Sequence, residues 1–529
     1  MTSAERPRIL VTEKIAAAGV DLLGTVGDVE VHLDWSADDL AEHIGGFDAL
    51  VVRSATKVTE ALIDRAGRLR VVGRAGTGVD NVNVDAATRR GIIVVNAAGS
   101  NAVSAAEHAI ALLLAQARNI PQAHMTLVDG RWERSRFGGI EVTGKTLGVL
   151  GFGRIGQLVA ERALGLSMRV IAYDPFVAEA HYREMGVEKA ETLEDLYAVS
   201  DFITLHLAST PETRGLLDAE AFAAMKRGVR VINDARGDLI DEAALVAAIE
   251  SGHVAGAAID VFPDEPTTES ALFGLPGVIV TPHLGASTTE AQDRAGTAVA
   301  EQVVAALTGG VVTSAVNIPA VSPETMVTLG PFIPLAGHLG RLAVGISGGL
   351  DQRIEVTCEG DLAEHDTRLL TTAVLTGALS GNMVEPVNMV NAQGIARDRG
   401  IEWSESSSPR ARDYTNRITV SIGDVSVSGT TVGNTARPRL VEVLGQPIEL
   451  ELAPHVGILR YTDVPGMVGT VGTTMAAENI NIASMAVSRS QEGGLATMAV
   501  TVDSPVPHAA QEAIAAQCSA NVWFVTLDI

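Results

Sequence analysis

The run TLGVLGFGRIGQ at 146–157 limits the fold more than any other segment. Gly151, Gly153 and Gly156 stand at G-x-G-x-x-G spacing, after an apolar strand and at the start of a helical pattern. A glycine triplet alone is weak evidence. Here each glycine has a mechanical role. The first makes the tight turn, the second lets backbone approach a pyrophosphate, and the third lets helix and strand pack closely. The helix N-terminus then presents free N–H groups to the phosphates. Asp174 ends the next apolar run, RVIAYD, where a carboxylate can accept hydrogen bonds from ribose hydroxyls. Pro175 and Phe176 follow it and the next cation is Arg183, a pattern that favours NAD over NADP. GRAGTGVDN has Gly76 and Gly78 but Asn81 in third place, so it is not a second nucleotide site.

The fingerprint sits inside a repeated strand–helix alternation. RILVT, VEVHL, ALVVRS, LRVVGRA and IIVVNA read as buried strands within the first hundred residues, with Ala- and Leu-rich helical stretches between them. A long helical pattern covers 102–117. A second series begins at Thr146 and continues through DFITLHL, VRVINDA, AGAAIDV and GVIVTP. The helical segment 289–307 could pack back on the first series and make that domain discontinuous. VNIPAVSPE at 316–324, with two prolines, reads as a linker. Beyond it, 325–454 reads as an α+β domain of alternating strands with few helices. The last segment has the order βαββαβ, a ferredoxin-like arrangement. The expected class is α/β, with two doubly wound parallel-sheet domains followed by an α+β domain and a βαββαβ domain. The expected division is 1–100 plus 285–316, then 101–284, 325–454 and 455–529. A length of 529 residues fits three or four domains.

Composition removes several classes. Lys and Arg number 39 against 64 Asp and Glu, so the net charge of −25 disfavours nucleic acid and anionic membranes as general partners. An anionic substrate needs only a few local cations. Cys358 and Cys518 are too few for a disulfide framework, which fits a reducing cytoplasm. The most apolar windows carry Glu107 and His108, or are broken by Gly330, Pro331, Pro334 and Gly337, so no membrane span is expected. MTSAERPRIL lacks a signal-peptide core.

Three segments follow late strands of the second series, where open α/β sheets bind ligands. They are INDARGDLID with Arg236, DVFPDEP with Glu265 and TPHLGAS with His283. Arg236 offers a planar fork for a carboxylate. His283 can exchange a proton near neutral pH, and Glu265 can orient its other ring nitrogen. Each has a bland reading alone: a salt bridge, a helix cap, a satisfied core histidine. Behind a dinucleotide fingerprint, the three together point to catalysis.

On GFGRIG, NDARGDLIDE, DVFPDEP and TPHLGAST the chain resembles the D-isomer-specific 2-hydroxyacid dehydrogenases over about 5–316. VVRSATKVT, GRAGTGVDNV and NAAGSNAVSAAEHA are further similar to the branch of that family acting on D-3-phosphoglycerate. The tail looks like an ACT domain, and 325–454 resembles the extra domain of the long, three-domain form. The resemblance implies NAD-dependent oxidation of 3-phosphoglycerate at C2 to 3-phosphohydroxypyruvate, the first step of L-serine synthesis, with no metal. It assigns Arg236 to the substrate carboxylate, His283 to the hydroxyl proton and Glu265 to its support. It places Thr77, Arg154, Ile155, Asp174, Leu207, Asp234, Ala235, Arg236, Asp260 and His283 around the cofactor, beside Gly151, Gly153 and Gly156, with Asp260 on the nicotinamide amide.

The substrate phosphate needs cations. Arg53 is favoured, with Ser100 and Asn101 as polar contacts, while Lys57 and Arg74 are weaker candidates. Arg131, Arg134 and Arg136 beside Trp132 form a second basic cluster, which in the family can reach a partner subunit's active site. Arg410, Arg412, Arg437 and Arg439 could hold an anionic effector, though ordinary surface charge is the better reading. In the tail, Tyr461, Asp463 and Asn481 match the ligand side of ACT domains that bind amino acids, so L-serine is the expected inhibitor. A homotetramer is expected from the family. Two other readings stay open: a glyoxylate or hydroxypyruvate reductase, and an NAD-sensing regulatory protein.

Overall fold

The computed structural model describes residues 6–310, 312–319, 321–350, 353–380, 386–433 and 435–527. The outermost positions of the expected first and last units, 1–5 and 528–529, lie outside the described residues.

Two all-parallel sheets form the Rossmann-like part of the chain. One has five strands in the order Asp28–Val31, Arg8–Val11, Ala49–Val52, Val71–Arg74, Ile93–Asn96. The other has seven in the order Val278–Val280, Val254–Ile259, Val229–Asn233, Phe202–Leu205, Thr146–Leu150, Arg169–Tyr173, Glu188–Lys189. Strands buried on both faces need apolar residues throughout rather than alternation, and ALVV and TLGVL are buried at every position. In the larger sheet the strand order reverses between Thr146–Leu150 and Phe202–Leu205. The glycine turn leaves the first of these strands and His206 leaves the second.

The helices decide how the two sheets are joined. Ala102–Ala117 buries Ala106, Ala109, Leu112 and Leu113 in one cluster with Leu147 and Val149 of the larger sheet. Thr289–Thr308 instead buries Val299, Ala300 and Val303 against Ile9, Val11 and Val51 of the smaller sheet. Its contact with Ala17–Gly24 is close enough that a Cβ on Gly19 would stand 2.6 Å from the Gly296 carbonyl oxygen. The chain therefore passes between the two units between Asn96 and Ala102 and again between Val280 and Thr289.

The segment read as a linker is partly pinned. Ala315 bridges Val95 in antiparallel fashion, Val316 N donates to Val94 O at 2.7 Å, and the Asn317 side chain bonds Val94 N and Ile92 O. A helix, Pro323–Leu329, begins inside it, capped by the Ser322 hydroxyl.

The α+β domain is more helical than its sequence suggests. Phe332–Ser347 and Arg368–Leu379 pack on each other and over the sheet. The glycines that make the first of these look broken are contact points: a Cβ on Gly340 would collide with the Val374 carbonyl, and one on Gly377 with the Gly337 carbonyl. Backbones approach closely only where side chains are missing. The mixed sheet runs Trp403–Ser408, Ile354–Gly360, Asn416–Ile422, Val425–Val432, Arg437–Val443, Gln446–Glu451. Its edge strand WSESSS is polar and partly exposed, so it carries no apolar alternation to announce it.

The tail has the expected βαββαβ order, with strands in the order Ile482–Arg489, Leu495–Val502, His455–Thr462, Asn521–Thr526. One face of this sheet packs its own helices through Leu459, Val471, Met475 and Ile514. The other face is not free. Val456, Ile458, Ala499 and Val525 share one core cluster with Leu339, Leu342 and Ile346 of the preceding domain. The last two domains thus read as separate units in sequence but bury a common interface. Among the described residues, no helix is long and apolar enough to cross a membrane.

Candidate active site

The glycine turn has the shape its residues require. Gly151 adopts φ +89°, where an L side chain is strained, and a Cβ there would stand 2.5 Å from the His206 carbonyl oxygen. A Cβ on Gly156 would collide with the Gly151 carbonyl. At Gly153 a Cβ would meet nothing within 4 Å, so the space over the turn is open at the position meant to approach a pyrophosphate. Arg154 and Ile155 begin the helix Arg154–Gly165, and Leu207 flanks Gly151. Asp174 is held at the turn itself: its two carboxylate oxygens accept N–H bonds from Phe152 and Phe176, each at 2.9 Å. Both oxygens keep lone pairs for a ribose, so the residues present fit a dinucleotide.

Arg154 reaches across to the first crossing, where a Cβ on Gly99 would stand 2.5 Å from its Nη1. There the Thr77 hydroxyl donates to Asn101 Oδ1 at 2.7 Å, and the Asn96 side chain donates to the Thr77 carbonyl. Ser100 Oγ is buried without a partner among the described residues. Thr77, Ser100, Asn101 and Arg154 therefore meet at one edge of the cleft.

His283 sits in left-handed backbone at φ +55°, which costs a non-glycine residue about 1–2 kcal/mol. Hydrogen bonds offset that cost. His283 N donates to the Asp260 carbonyl at 2.8 Å, while Leu284 N and Gly285 N donate to the Asp260 carboxylate at 2.8 and 2.9 Å. The ring Nδ1 lies 2.5 Å from Glu265 Oε2, and Glu265 Oε1 accepts from Phe262 N. With Nδ1 donating to the carboxylate, Nε2 is left as the lone pair that can take a proton. The Glu265 hydrogen bond raises the His283 pKa above its ordinary value, against burial, which lowers it. Burial alone would raise Glu265; its bonds to His283 and Phe262 N more than reverse that.

Asp260, which the resemblance assigns to the nicotinamide amide, also braces the His283 loop. Its carboxylate is fully buried and accepts from Thr281 Oγ1, Leu284 N and Gly285 N, with His108 Nε2 3.2 Å from Oδ1.

Arg236 lies across the cleft from the smaller sheet's domain. Its Nη1 donates to the Ala235 carbonyl at 2.6 Å and its Nη2 is 3.3 Å from Asp80 Oδ2. Asp80 therefore holds the fork as a single-point carboxylate. Arg74 is a close neighbour. Burial is the main force lowering its pKa, the Arg236 and Arg53 charges add to that, and Asp80 and Glu13 oppose it. Arg74 Nε is buried with no partner among the described residues. The Arg53 loop is shaped by the Glu13 carboxylate, which accepts N–H bonds from Arg53, Ala55 and Thr56. Arg53, Arg74 and Arg236 thus form one cationic cluster, while Lys57 is exposed.

Under the cleft, Asp234 and His206 end neighbouring strands. The Asp234 side chain is 1% exposed and neither oxygen has a hydrogen-bond partner among the described residues; His206 Nδ1 stands 3.6 Å away. Burial pushes Asp234 up to about 7 and His206 down to about 3. Glu13, Asp80, His108 and His206 are contributions the sequence did not announce. Each acts through a partner far along the chain or after a different strand.

The expected effector residues are already engaged. Asp463 Oδ2 pairs with Arg489 Nη1 at 2.9 Å, and Asn481 Nδ2 donates to Asp503 Oδ2 at 2.9 Å. Tyr461 is buried in the ACT core with Leu459, because alternate residues of its strand face the helices. The other basic clusters are also largely paired. Arg131 and Arg136 meet Glu133, with Asp129 also on Arg131, beside an exposed Trp132. Arg437 and Arg439 share Glu451. Arg134, Arg410 and Arg412 are not in these pairs.

Comparison with known proteins agrees with this layout. The model of the D-isomer specific 2-hydroxyacid dehydrogenase NAD binding domain matches residues 110–285. Those of the D-3-phosphoglycerate dehydrogenase intervening domain and the ACT domain match 328–444 and 456–519. The chain is 44% identical over 526 residues to the D-3-phosphoglycerate dehydrogenase of Mycobacterium leprae, covering 97% of this chain and 98% of that one. It is 42% identical over 511 residues to the enzyme of that name from Methanocaldococcus jannaschii, covering 96% and 97%. Among solved structures, the TT0316 protein of Thermus thermophilus is similar with a TM-score of 0.54 and 34% identity, covering 58% of this chain and 99% of that one.

Proposed function

The chain belongs to the D-3-phosphoglycerate dehydrogenase family, and from that membership and the site geometry we propose that it oxidises D-3-phosphoglycerate at C2 to 3-phosphohydroxypyruvate, with NAD, as the first step of L-serine synthesis. The observation that carries the chemistry is a half-exposed histidine with one ring nitrogen committed to a carboxylate, which leaves the other to take a proton.

NAD, when bound, supplies the hydride acceptor. Asp174 holds the adenosine ribose hydroxyls, and the turn at Gly151, Gly153 and Gly156 receives the pyrophosphate. Thr77, Arg154, Ile155, Leu207, Asp234 and Ala235 border the cofactor. Arg236 exchanges Asp80 for the substrate carboxylate, gaining a two-point contact in place of a single one. Arg53 and Arg74 take the phosphate, with Ser100 and Asn101 beside them. His283 Nε2 accepts the C2 hydroxyl proton as the C2–H bond breaks and the carbonyl forms. Glu265 then neutralises the imidazolium through Nδ1. Asp234, unpaired and pushed up to about 7, tolerates burial by being partly protonated near neutral pH.

We read 1–100 with 285–316 as the substrate-binding domain, 101–284 as the NAD-binding domain, 325–454 as the intervening domain and 455–529 as the ACT domain. L-Serine acts at Asp463 and Asn481, with Tyr461 supporting them from the core. The protein works as a cytoplasmic homotetramer.

A substrate panel on the purified protein tests this reading. NADH should form from NAD with 3-phosphoglycerate, NADPH should form far more slowly when NADP replaces NAD, and NADH formation should slow when L-serine is added. Faster turnover of glyoxylate or hydroxypyruvate with NADH than of 3-phosphohydroxypyruvate would point to the sister reductases, and no turnover of any of these to a regulatory protein.

A further inference from the structure

We infer that His108 is a positioning residue: held against Asp260, it fixes the loop that carries His283 and opposes the negative field that Asp260 casts on that histidine. The inference rests on the proposed reading of His283 as the base.

His108 belongs to the helix Ala102–Ala117, far along the chain from the loop it serves. Its Nε2 is 3.2 Å from Asp260 Oδ1 and 3.4 Å from Thr281 Oγ1, and its side chain is only 20% exposed. Asp260 in turn bonds to residues on both sides of His283. Oδ1 accepts from Thr281 Oγ1 at 2.5 Å and from Leu284 N at 2.8 Å, and Oδ2 accepts from Gly285 N at 2.9 Å. The Asp260 carbonyl accepts from His283 N itself. One carboxylate thus ties the Thr281 hydroxyl and the Leu284 and Gly285 N–H groups around a residue in a left-handed turn.

A fully buried carboxylate keeps its charge only when it is well bonded and paired. Among the described residues, His108 is the basic side chain beside Asp260, and it pairs as a cation when protonated. The hydrogen bond to Asp260 raises the His108 pKa, outweighing burial, and Asp234 adds to the effect. The neighbouring charges do not replace it. Glu107 on the same helix pairs outward with Arg162 of Arg154–Gly165. Asp234 at the end of Val229–Asn233 is acidic, and its oxygens have no hydrogen-bond partner among the described residues. The charges facing His283 are Glu265, Asp260 and Arg236, with Asp234 beyond. Wherever His108 is protonated, removing it therefore leaves more uncompensated negative charge near His283, which should hold its proton more tightly. Its removal also loosens these ties, so the base is aimed less well.

Carbethoxylation by diethyl pyrocarbonate reads the first effect without any need for turnover, because only neutral imidazole reacts and His283 is accessible. We would follow the modification of His283 by peptide mass spectrometry against pH in the full-length wild type, His108→Gln and His108→Leu. The midpoint should move to higher pH in both variants, by on the order of half a unit. The kcat for 3-phosphoglycerate oxidation should fall about ten- to a hundredfold in His108→Leu with KM little changed, as expected for a misaimed group. His108→Gln keeps a donor to Asp260, so it should recover part of kcat while showing the same displaced midpoint. If the leucine variant loses its cooperative unfolding transition, the glutamine variant decides. An unmoved midpoint with unchanged kcat in His108→Gln would overturn the inference. A displaced midpoint in a protein that never oxidises 3-phosphoglycerate would uphold the electrostatic link to His283 and sink the proposed function instead.

Discussion

The catalytic cleft and the ACT face differ in how their polar groups are left. In the cleft, Arg74 Nε, Ser100 Oγ and both Asp234 oxygens are buried with no partner among the described residues. On the ACT face, Asp463 and Asn481 already have Arg489 and Asp503. Burying a polar group unpaired costs about 1–3 kcal/mol, so a fold keeps such groups only where something else makes up for it. The cleft is organised ahead of its ligands. The ACT face is satisfied without one, so an amino acid must exchange partners there before it binds. In the first region Arg236 gives up Asp80 while Arg74, Ser100 and Asp234 give up no side-chain partner, so binding there should be weakened less than in the second, where both effector contacts exchange.

The strongest way to break this contrast is at the base. His283→Asn should lower kcat on the order of 100- to 10,000-fold while NADH still binds, as fluorescence titration would report. A near-normal rate would remove the cleft from the comparison altogether. Next comes Arg236. Arg236→Lys keeps the charge but loses the fork, and a charged hydrogen bond is worth about 1.5–3 kcal/mol, so kcat/KM should fall about ten- to a hundredfold. Steady-state kinetics that leave kcat/KM unchanged would make the Asp80 pair its whole role.

Cofactor choice gives a smaller effect. Asp174→Ala removes a carboxylate fixed by two backbone N–H groups, and the NAD-to-NADP ratio of kcat/KM should drop about tenfold, comparable to one lost charged hydrogen bond. The smallest effect sharpens the comparison from the other side. Arg489→Ala removes the internal competitor for Asp463, so half-inhibition should need less L-serine. Exposed ion pairs are worth about 0–1 kcal/mol, which sets the change at roughly fivefold or less. Asp463→Ala should instead raise the serine needed. The same serine response in both variants would remove Asp463 from the effector site.

Much of the α/β half is legible in the sequence, for a physical reason. Strands buried on both faces must be apolar runs, and the turn at Gly151–Gly156 tolerates no side chain at two of its positions, so both leave marks in the letters. The α+β half hides its elements. WSESSS forms an edge strand whose polarity gives no alternation, and the glycines of Phe332–Ser347 look like breaks although they are where two helices touch. The site is legible in parts. Arg236, Glu265 and His283 each follow a strand end, which sequence can place. The Asp80 contact of Arg236 and the His108 contact of Asp260 join residues more than a hundred positions apart, and no local pattern records them. The buried face shared by the last two domains is invisible for the same reason.

The pH dependence of kcat/KM for 3-phosphoglycerate oxidation, in the wild type and in Glu265→Gln, tests the central claim most directly. His283 must be neutral to take the hydroxyl proton, so the rate falls as pH drops through its pKa. The Glu265 hydrogen bond raises that pKa above the ordinary histidine value of 6.5, so the wild-type acidic limb should lie above it. Glu265→Gln removes the carboxylate, so the surviving activity should show its acidic limb at lower pH. An acidic limb that stays in place in the variant would contradict the assignment of this histidine–glutamate pair as the base.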